Sequence, residues 1–393
     1  MIKVINKANC CGCHACFQVC PKDAIQMETD EEGFLYPIVN LSKCVNCGKC
    51  DKVCPEIKAV ALSMETQVYA AYRKEFEKRV QSQSGGVFAR IAEDILAQGG
   101  VAFGAAFNET WKLQHCIAED KTQLQKLQGS KYVQSEIGNT FIQVKTLLDQ
   151  GEKVLYSGTP CQIQGLKKFL GKDYETLVTI DLICHGVPSP EVWKKYLEEF
   201  LNGSQLVKFV QKDKMKNNAI FYQLKNGSER EESYETNAYS KGFNKNLFLR
   251  PSCHQCSFKG IERCSDITLG DFWGIEKFYP EFGDRYGISA VLVHTKNGLD
   301  ILENIKDSLE VVECNSDMLV AENPCVIQSS AMNTKRAVFF EKWKTNNIIP
   351  LIEQLLQPSL SDILKYRIKK MYYKLRICLS RIKKYIFRKL IKN

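Results

Sequence analysis

The sequence of 393 residues has no apolar run that approaches the roughly 20 residues needed for a membrane-spanning helix. Its opening residues, MIKVINKANCCGC, also lack the apolar segment of a secretory signal peptide, so we expect a cytoplasmic chain. No G-x-G-x-x-G motif follows a strand, which argues against a standard dinucleotide-binding fold. The remaining composition, 44% hydrophobic and 25% charged residues, is ordinary for a globular protein.

Acidic residues are absent from residues 365–393, which contain twelve Lys or Arg. The segment also places apolar residues at helical spacing: Ile368, Met371, Leu375, Leu379, Ile382, Ile386 and Leu390. This pattern predicts a basic amphipathic helix that suits an anionic membrane surface, such as the inner face of the cell membrane. Packing on the protein's own body or on a second subunit is an equal alternative. Nucleic acid is not expected as a partner, because no base-reading module accompanies the charge.

Cysteine is abundant by contrast, with eighteen residues, of which nine lie within the first 54. Thiols are kept reduced in the cytoplasm, so disulfides are not the first expectation. Grouped cysteines in such a chain predict ligands of a metal ion or a cluster.

The first 54 residues contain two copies of the spacing C-x2-C-x2-C-x3-C-P, which is typical of bacterial ferredoxins with two 4Fe-4S clusters. In that pattern the fourth cysteine of each copy binds the other cluster. Two full copies that each end in Cys-Pro favour clusters over a zinc site. The predicted ligand sets are Cys10, Cys13, Cys16 and Cys54 for one cluster, and Cys44, Cys47, Cys50 and Cys20 for the other.

The stretch between the two copies predicts a short hairpin that turns around residues 30–33. Such a small module has little core, so its clusters should supply much of its stability. Cys11 is left over and is expected to be incidental. His14 lies inside the first copy, and we expect it to face solvent.

Further along, residues 68–100 predict a strand, a loop with Ser84, Gly85 and Gly86, and a helix whose N-terminus faces that loop. Backbone N–H groups at such a position can approach an anion, although an ordinary loop is an alternative. Two later strands lead into Cys161 and Cys184. The carboxyl ends of parallel strands lie at one edge of a sheet, so these two cysteines should be close together.

A third cysteine group is the C-x2-C pair of Cys253 and Cys256, followed by Cys264. One four-ligand site would combine this pair with Cys161 and Cys184, and would leave Cys264 spare. From spacing alone, two buried structural thiols are an equal explanation for Cys161 and Cys184.

Six motifs in this order, SGGVFARI, GSKYVQS, GTPCQIQGL, LICHG, RPSCHQCSF and SDITLGDFWG, resemble the coenzyme F420 hydrogenase/dehydrogenase beta-subunit family. The resemblance extends over residues 1 to about 330 and implies α+β and α/β architecture. The implied domains are a ferredoxin domain at 1–62, a beta-subunit-like domain at 68–335 with parts 68–150 and 151–335, and a helical region at 336–393.

The resemblance also implies FAD and a third cluster bound by Cys161, Cys184, Cys253 and Cys256, with Cys264 in place of Cys161 as the rival set. The implied flavin-binding candidates are Ser84, Gly85, Gly86, Ser130, Lys131, Tyr132 and Asp271; no catalytic residue is identified. Lys131 is the cation that could offset negative charge on flavin or phosphate.

The implied activity is that of an iron–sulfur flavoprotein oxidoreductase. It would pass electrons between a one-electron, ferredoxin-like carrier and a two-electron substrate such as coenzyme F420 or another reducible small molecule. Some relatives are associated with surface polysaccharide synthesis. The alternatives are a non-catalytic electron-transfer subunit of a larger complex and a redox-sensing or scaffold protein.

Overall fold

A computed structural model describes residues 1–57, 64–216 and 218–357. The predicted amphipathic helix of the basic tail lies outside these residues.

The strands are β1 (Ile25–Thr29), β2 (Leu35–Val39), β3 (Gln67–Arg73), β4 (Val101–Phe107), β5 (Leu113–Ala118), β6 (Val154–Gly158), β7 (Leu177–Leu182), β8 (Leu206–Asp213), β9 (Ala219–Leu224), β10 (Glu229–Glu232), β11 (Ile267–Asp271), β12 (Ser289–Val293) and β13 (Leu309–Cys314). The helices are α1 (Ala15–Gln18), α2 (Lys49–Lys52), α3 (Phe76–Gln81), α4 (Val87–Ala97), α5 (Lys121–Leu127), α6 (Thr140–Asp149), α7 (Pro160–Leu170), α8 (Pro190–Leu201), α9 (Ala238–Asn244), α10 (Lys296–Ile305), α11 (Ser316–Glu322), α12 (Arg336–Lys342) and α13 (Ile348–Leu356).

The N-terminal module contains the expected hairpin. Strands β1 and β2 pair antiparallel, and Thr29 lies opposite Leu35. The side chain of Asp30 forms the turn by accepting hydrogen bonds from the backbone N–H groups of Glu32 and Phe34, at 3.0 and 2.9 Å. Phe34, which is fully buried, then anchors the hairpin.

The large domain is built on an eight-stranded mixed sheet with the order β13-β3-β12-β11-β7-β6-β4-β5. Four neighbouring strands of this sheet, β11, β7, β6 and β4, run parallel to one another. The parallel neighbours β6 and β7 are the two strands that precede Cys161 and Cys184. This architecture confirms the expected mixed α/β class.

A second, three-stranded sheet, with the order β10-β9-β8, packs beside helices α8, α9 and α13. Its shared core is aromatic, with Trp193, Tyr196 and Tyr239 almost fully buried. Lys214, which directly follows β8, donates a hydrogen bond to the carbonyl oxygen of Ser84 in the loop before α4. The second sheet therefore contributes side chains to the same region as the predicted flavin loop.

The N-terminal module packs into the large domain at a surface that we call the junction. One hydrophobic cluster contains Cys13, Ala15 and Val53 from the module together with Phe141 and Leu166 from the large domain. Across the junction, Gln18 Oε1 accepts hydrogen bonds from two backbone N–H groups at the start of α6. The module is thus part of the folded body.

Candidate functional site

The first predicted ligand set, Cys10, Cys13, Cys16 and Cys54, is brought together by the fold. The thiols of Cys10 and Cys13 act electrostatically on those of both Cys16 and Cys54, although Cys54 belongs to the second sequence copy. Burial raises the pKa of the Cys16 thiol and raises that of Cys54 to about 11. Thiolates here therefore need a compensating positive charge, which iron supplies.

The second predicted set lines one hollow near the surface: Cys20, Cys44, Cys47 and Cys50. Two backbone N–H groups already point at the sulfurs, from Ala24 to Cys20 at 3.3 Å and from Ile2 to Cys50 at 3.2 Å. The side chain of Cys47 is exposed. This hollow therefore combines Cys20 of the first sequence copy with three cysteines of the second, and the crossed ligand sets stay a prediction.

Both sequence copies wrap their cysteines with residues in the left-handed region. Gly12 and Asn46 occupy the same place in the two copies, with φ of 71° and 50°. His14 and Gly48 form a second such pair, with φ of 62° and 72°. Glycine and asparagine adopt this conformation most readily, so the local sequence suits the tight turns that bring the thiols together.

A third hollow, which we call the large-domain hollow, is lined by Cys11, Cys161, Cys184, Cys253 and Cys256. The four predicted large-domain cysteines reach it from the start of α7, the loop after β7, and the turn of residues 251–255 with the residue that directly follows it. Cys264 is not among its lining residues in the described part of the chain. The side-chain positions therefore favour the set with Cys161 over the rival with Cys264.

The start of α7 presents Cys161 to the large-domain hollow. The strand β6 ends at Gly158, and Thr159 and Gln162 form a capping box around the helix N-terminus. The hydroxyl of Thr159 lies 3.1 Å from the Cys161 sulfur. Because this end of a helix carries partial positive charge, it favours the thiolate form of a cysteine there.

Cations also surround the large-domain hollow. Lys259 and Arg263 line it, and the Lys259 ammonium donates to the carbonyl oxygens of Cys184 and Cys325, the latter at 2.6 Å. Burial raises the pKa of Cys184 and raises that of Cys253 to about 12. A donor set of buried thiols with cations around it fits an anionic iron–sulfur cluster. Among the described residues, no three His, Cys, Asp or Glu side chains converge closely enough to hold a single metal ion.

One expectation for the first copy is wrong. His14 does not face solvent, since only 4% of its surface is exposed, and burial lowers its pKa to about 4. Cys11, which the sequence left over, reaches across the junction and contacts the Cys161 thiol in the large-domain hollow. Both positions depend on how the N-terminal module packs against the distant edge of the large sheet, and the local sequence gives no signal for that packing.

The predicted flavin loop is tied to the end of the central sheet. The hydroxyl of Ser84 donates to the carbonyl oxygens of Gly270 and Ile288, at 3.2 and 2.9 Å. A side chain on Gly85 would lie 2.2 Å from the carbonyl oxygen of Ala71, so only glycine fits there. The loop therefore lies directly beside Asp271.

Two lysines of β8 and the turn after it, which the sequence did not single out, extend this region. Lys214 donates to the carbonyl oxygen of Ser84, and the Asp271 carboxylate acts on both Lys212 and Lys214. Burial lowers the pKa of Lys214 to about 8 although Asp271 opposes it. Gly86, with φ of 81°, immediately precedes α4. Backbone at a helix N-terminus and two nearby ammonium groups suit a bound phosphate.

The other predicted flavin segment, Ser130 to Tyr132, reaches the same region through its tyrosine. The Lys212 ammonium lies 5.6 Å from the Tyr132 ring centre. Lys131 instead donates to three carbonyl oxygens at the end of α5, at 2.8 to 3.1 Å, and burial lowers its pKa to about 7. Ser130 is half-buried beside it. The structure thus joins Tyr132 to Ser84, Gly86 and Asp271, whereas Lys131 caps a helix.

Comparison with known families now adds to this geometry. A family model for the C terminus of coenzyme F420 hydrogenase/dehydrogenase, beta subunit, matches residues 151–317, and the corresponding N-terminal model matches residues 68–140. The two models together cover more than half of the chain. The chain belongs to this beta-subunit family. A 4Fe-4S dicluster domain model also matches residues 9–57, so this family member is an iron–sulfur protein of an oxidoreductase family.

No curated protein sequence matches this beta-subunit-family chain. Among solved structures, it is similar to a chain of the xenon-derivatised F420-reducing NiFe hydrogenase complex from Methanosarcina barkeri, with 18% identity and a TM-score of 0.43. The match covers 63% of this chain and 81% of the hydrogenase chain. Helices in the described ranges fall short of the length and apolarity that a bilayer crossing requires.

Proposed function

We propose that the protein is an iron–sulfur flavoprotein oxidoreductase that couples a one-electron carrier protein to a two-electron substrate. When bound, 4Fe-4S clusters transfer single electrons, and a flavin exchanges a hydride for two single electrons. The chain's own residues would hold these groups in order from the exposed Cys47 towards the end of the central sheet.

One observation carries the proposal: four cysteines from separate parts of the large domain line one hollow, and Cys11 of the N-terminal module lines it as well. Cys10, a predicted ligand of the first cluster, is the neighbour of Cys11 in the chain. The first predicted cluster site and the large-domain hollow are therefore joined by one peptide bond. This continuity supports a chain of three clusters.

The residues that would hold FAD are Ser84, Gly86, Tyr132, Lys212 and Asp271. Two observations support this set: the loop with Ser84 leads into the N-terminus of α4, and two lysines lie near that loop. These groups would bind the phosphates and position the ring near the carboxyl end of the sheet.

The substrate in this proposal is a reducible small molecule of the coenzyme F420 type, and a role in surface polysaccharide biosynthesis follows from the resemblance alone. The electron carrier would dock at the module. Its contact face would be the surface around the exposed Cys47. The basic tail would hold the protein at an anionic membrane surface.

The test is the amount of iron, acid-labile sulfide and flavin per chain in anaerobically purified protein. We expect about twelve irons, four for each of three clusters, with one FAD. Cys161→Ser should lower iron to about eight, whereas Cys264→Ser, the matched control, should leave it unchanged.

Two results would contradict the proposal. Wild-type protein with about eight irons would show that the large-domain hollow holds no cluster. Protein with intact clusters and no flavin would show that the chain is only an electron-transfer subunit.

A further inference from the structure

Arg250 is fully buried at the junction, directly before the segment that carries Cys253 and Cys256. Its guanidinium reaches into the N-terminal module, where Nε donates to the Cys10 carbonyl oxygen at 2.7 Å and Nη2 donates to that of Leu35 at 3.0 Å. Nη1 donates to the Gln134 side chain at 3.0 Å. Every donor group is thus directed at the junction.

Among the residues that the structure describes, no carboxylate forms a salt bridge with this guanidinium. In the described ranges its hydrogen bonds go to carbonyl oxygens, an amide and a sulfur, and no Asp or Glu pairs with it. An arginine keeps its proton in proteins, and an isolated buried charge is costly. The surroundings must therefore supply negative charge in another form.

Predicted cluster ligands lie on both sides of the junction. On the module side, Nη2 lies 3.7 Å from the Cys10 sulfur. On the other side, the backbone N–H of Cys253, which lines the large-domain hollow, donates to the Arg250 carbonyl oxygen at 2.9 Å. The aromatic ring of Tyr36, 4.2 Å from the guanidinium carbon, closes one face of the guanidinium. Arg250 thus faces two separate cysteine sites.

We propose that Arg250 is the counter-cation shared by the first predicted cluster and the large-domain cluster, and that its charge favours the state with one more electron at both. The inference rests on the proposed function, because it requires clusters at both sites. The step concerned is the transfer of one electron, supplied by a one-electron carrier protein, and no covalent bond forms or breaks. Charge and hydrogen bonds to cluster sulfurs set reduction potentials.

The test is an anaerobic redox titration of the full chain, followed by electron paramagnetic resonance, for wild type and Arg250→Gln. We expect reduction of at least one cluster to become at least tenfold less favourable, which is about 59 mV for a one-electron couple. Gln134→Glu places a carboxylate beside the unchanged arginine and should shift the potential in the same direction. If the Arg250→Gln protein loses iron, the reduction potentials of the Gln134→Glu protein test the proposal by themselves.

A matched control removes another buried arginine from the same junction. Arg336 pairs with Glu32 of the module, with Nη1 and Oε1 2.7 Å apart. The double variant Glu32→Gln, Arg336→Gln removes this pair without changing the net charge. Its equilibrium constants for cluster reduction should stay within about threefold of the wild-type values. Shifts as large in this variant as in Arg250→Gln would reduce Arg250 to a structural role.

Failure of this inference is distinguishable from failure of the proposed function. About twelve irons and unchanged potentials in both charge variants would overturn the role of Arg250 alone. About eight irons in wild type would overturn the third cluster, and the shift at the Cys10 site would still decide whether Arg250 acts there.

Discussion

The two cysteine systems that meet at the junction are built in opposite ways. In the N-terminal module, eight predicted ligands lie within residues 10–54, and tight turns at Gly12 and Gly48 bring them together. In the large domain, four cysteines between residues 161 and 256 are assembled by two parallel strands and a distant turn. A site built from local turns depends on its metal for folding. A site at the edge of a large sheet lies in a domain that folds without the metal.

The cores of the two regions support this contrast. The large sheet has a continuous core that includes Ile91, Leu155, Ile180 and Val291, all fully buried. The module has a few buried side chains, such as Phe34, and it shares part of its core with the large domain. A segment of this size buries too little surface to be stable alone.

Removal of iron should therefore destabilise the N-terminal module much more than the large domain, and this is the largest effect that we expect. After anaerobic chelation, we expect backbone amides of β1 and β2 to lose protection from hydrogen exchange by roughly 1,000-fold or more, because metal binding supplies folding free energy there. Amides of β6 and β7 should lose less than about tenfold. Hydrogen exchange with mass spectrometry measures both regions in one sample. Equal losses in the two regions would refute the contrast.

How far the sequence predicts these sites follows from the same contrast. The spacing of Cys10 to Cys54 predicts the crossed sets, since each turn depends on neighbours in the chain. Cys161 and Cys184 are expected together because parallel strands end at one edge, and the structure brings them to one hollow. Local pattern and sheet topology are sufficient for this part.

The remainder depends on contacts between distant segments. Arg250 is a single cation beside a cysteine pair, and its burial under residues 10–36 has no periodic signal. Lys212 and Lys214 meet Ser84 and Asp271 only because a second sheet lies against the first. The burial of His14 likewise depends on contacts between distant segments of the chain.

A second prediction compares the two turns inside the module. Gly12 and Gly48 have nearly the same φ, 71° and 72°. A side chain on Gly12 would lie 2.8 Å from Arg250 Nη1, whereas one on Gly48 would meet nothing within 4 Å. Gly48→Ala should cost about 1 kcal/mol for the left-handed conformation, and Gly12→Ala about 3 kcal/mol because of the added collision.

The measurement is the urea midpoint for loss of cluster absorbance in the two variants under anaerobic conditions. Gly48→Ala serves as the control, since it imposes the same backbone strain without the junction contact. Equal midpoints would mean that the junction yields to the extra methyl group and is not closely packed around Arg250.

The last prediction concerns the stability of the large domain at low pH. His115 of β5 is buried, its ring stacks on Tyr156 at 5.4 Å, and Nε2 donates to the Ser157 carbonyl oxygen at 2.9 Å. Burial lowers its pKa to about 4, below the value of about 6.5 in an unfolded chain. Between these values only the unfolded state takes up the proton, so stability is lost as pH falls from 6.5 towards 4.

This histidine should cost the large domain about 2 kcal/mol at pH 5 relative to pH 7. His115→Gln keeps a donor for Ser157 but does not titrate, so its stability should fall by about 2 kcal/mol less over that range. All four tryptophans lie outside the N-terminal module, so urea unfolding followed by tryptophan fluorescence reports on the rest of the folded body. Parallel pH profiles for variant and wild type would show that the acid sensitivity comes from another group.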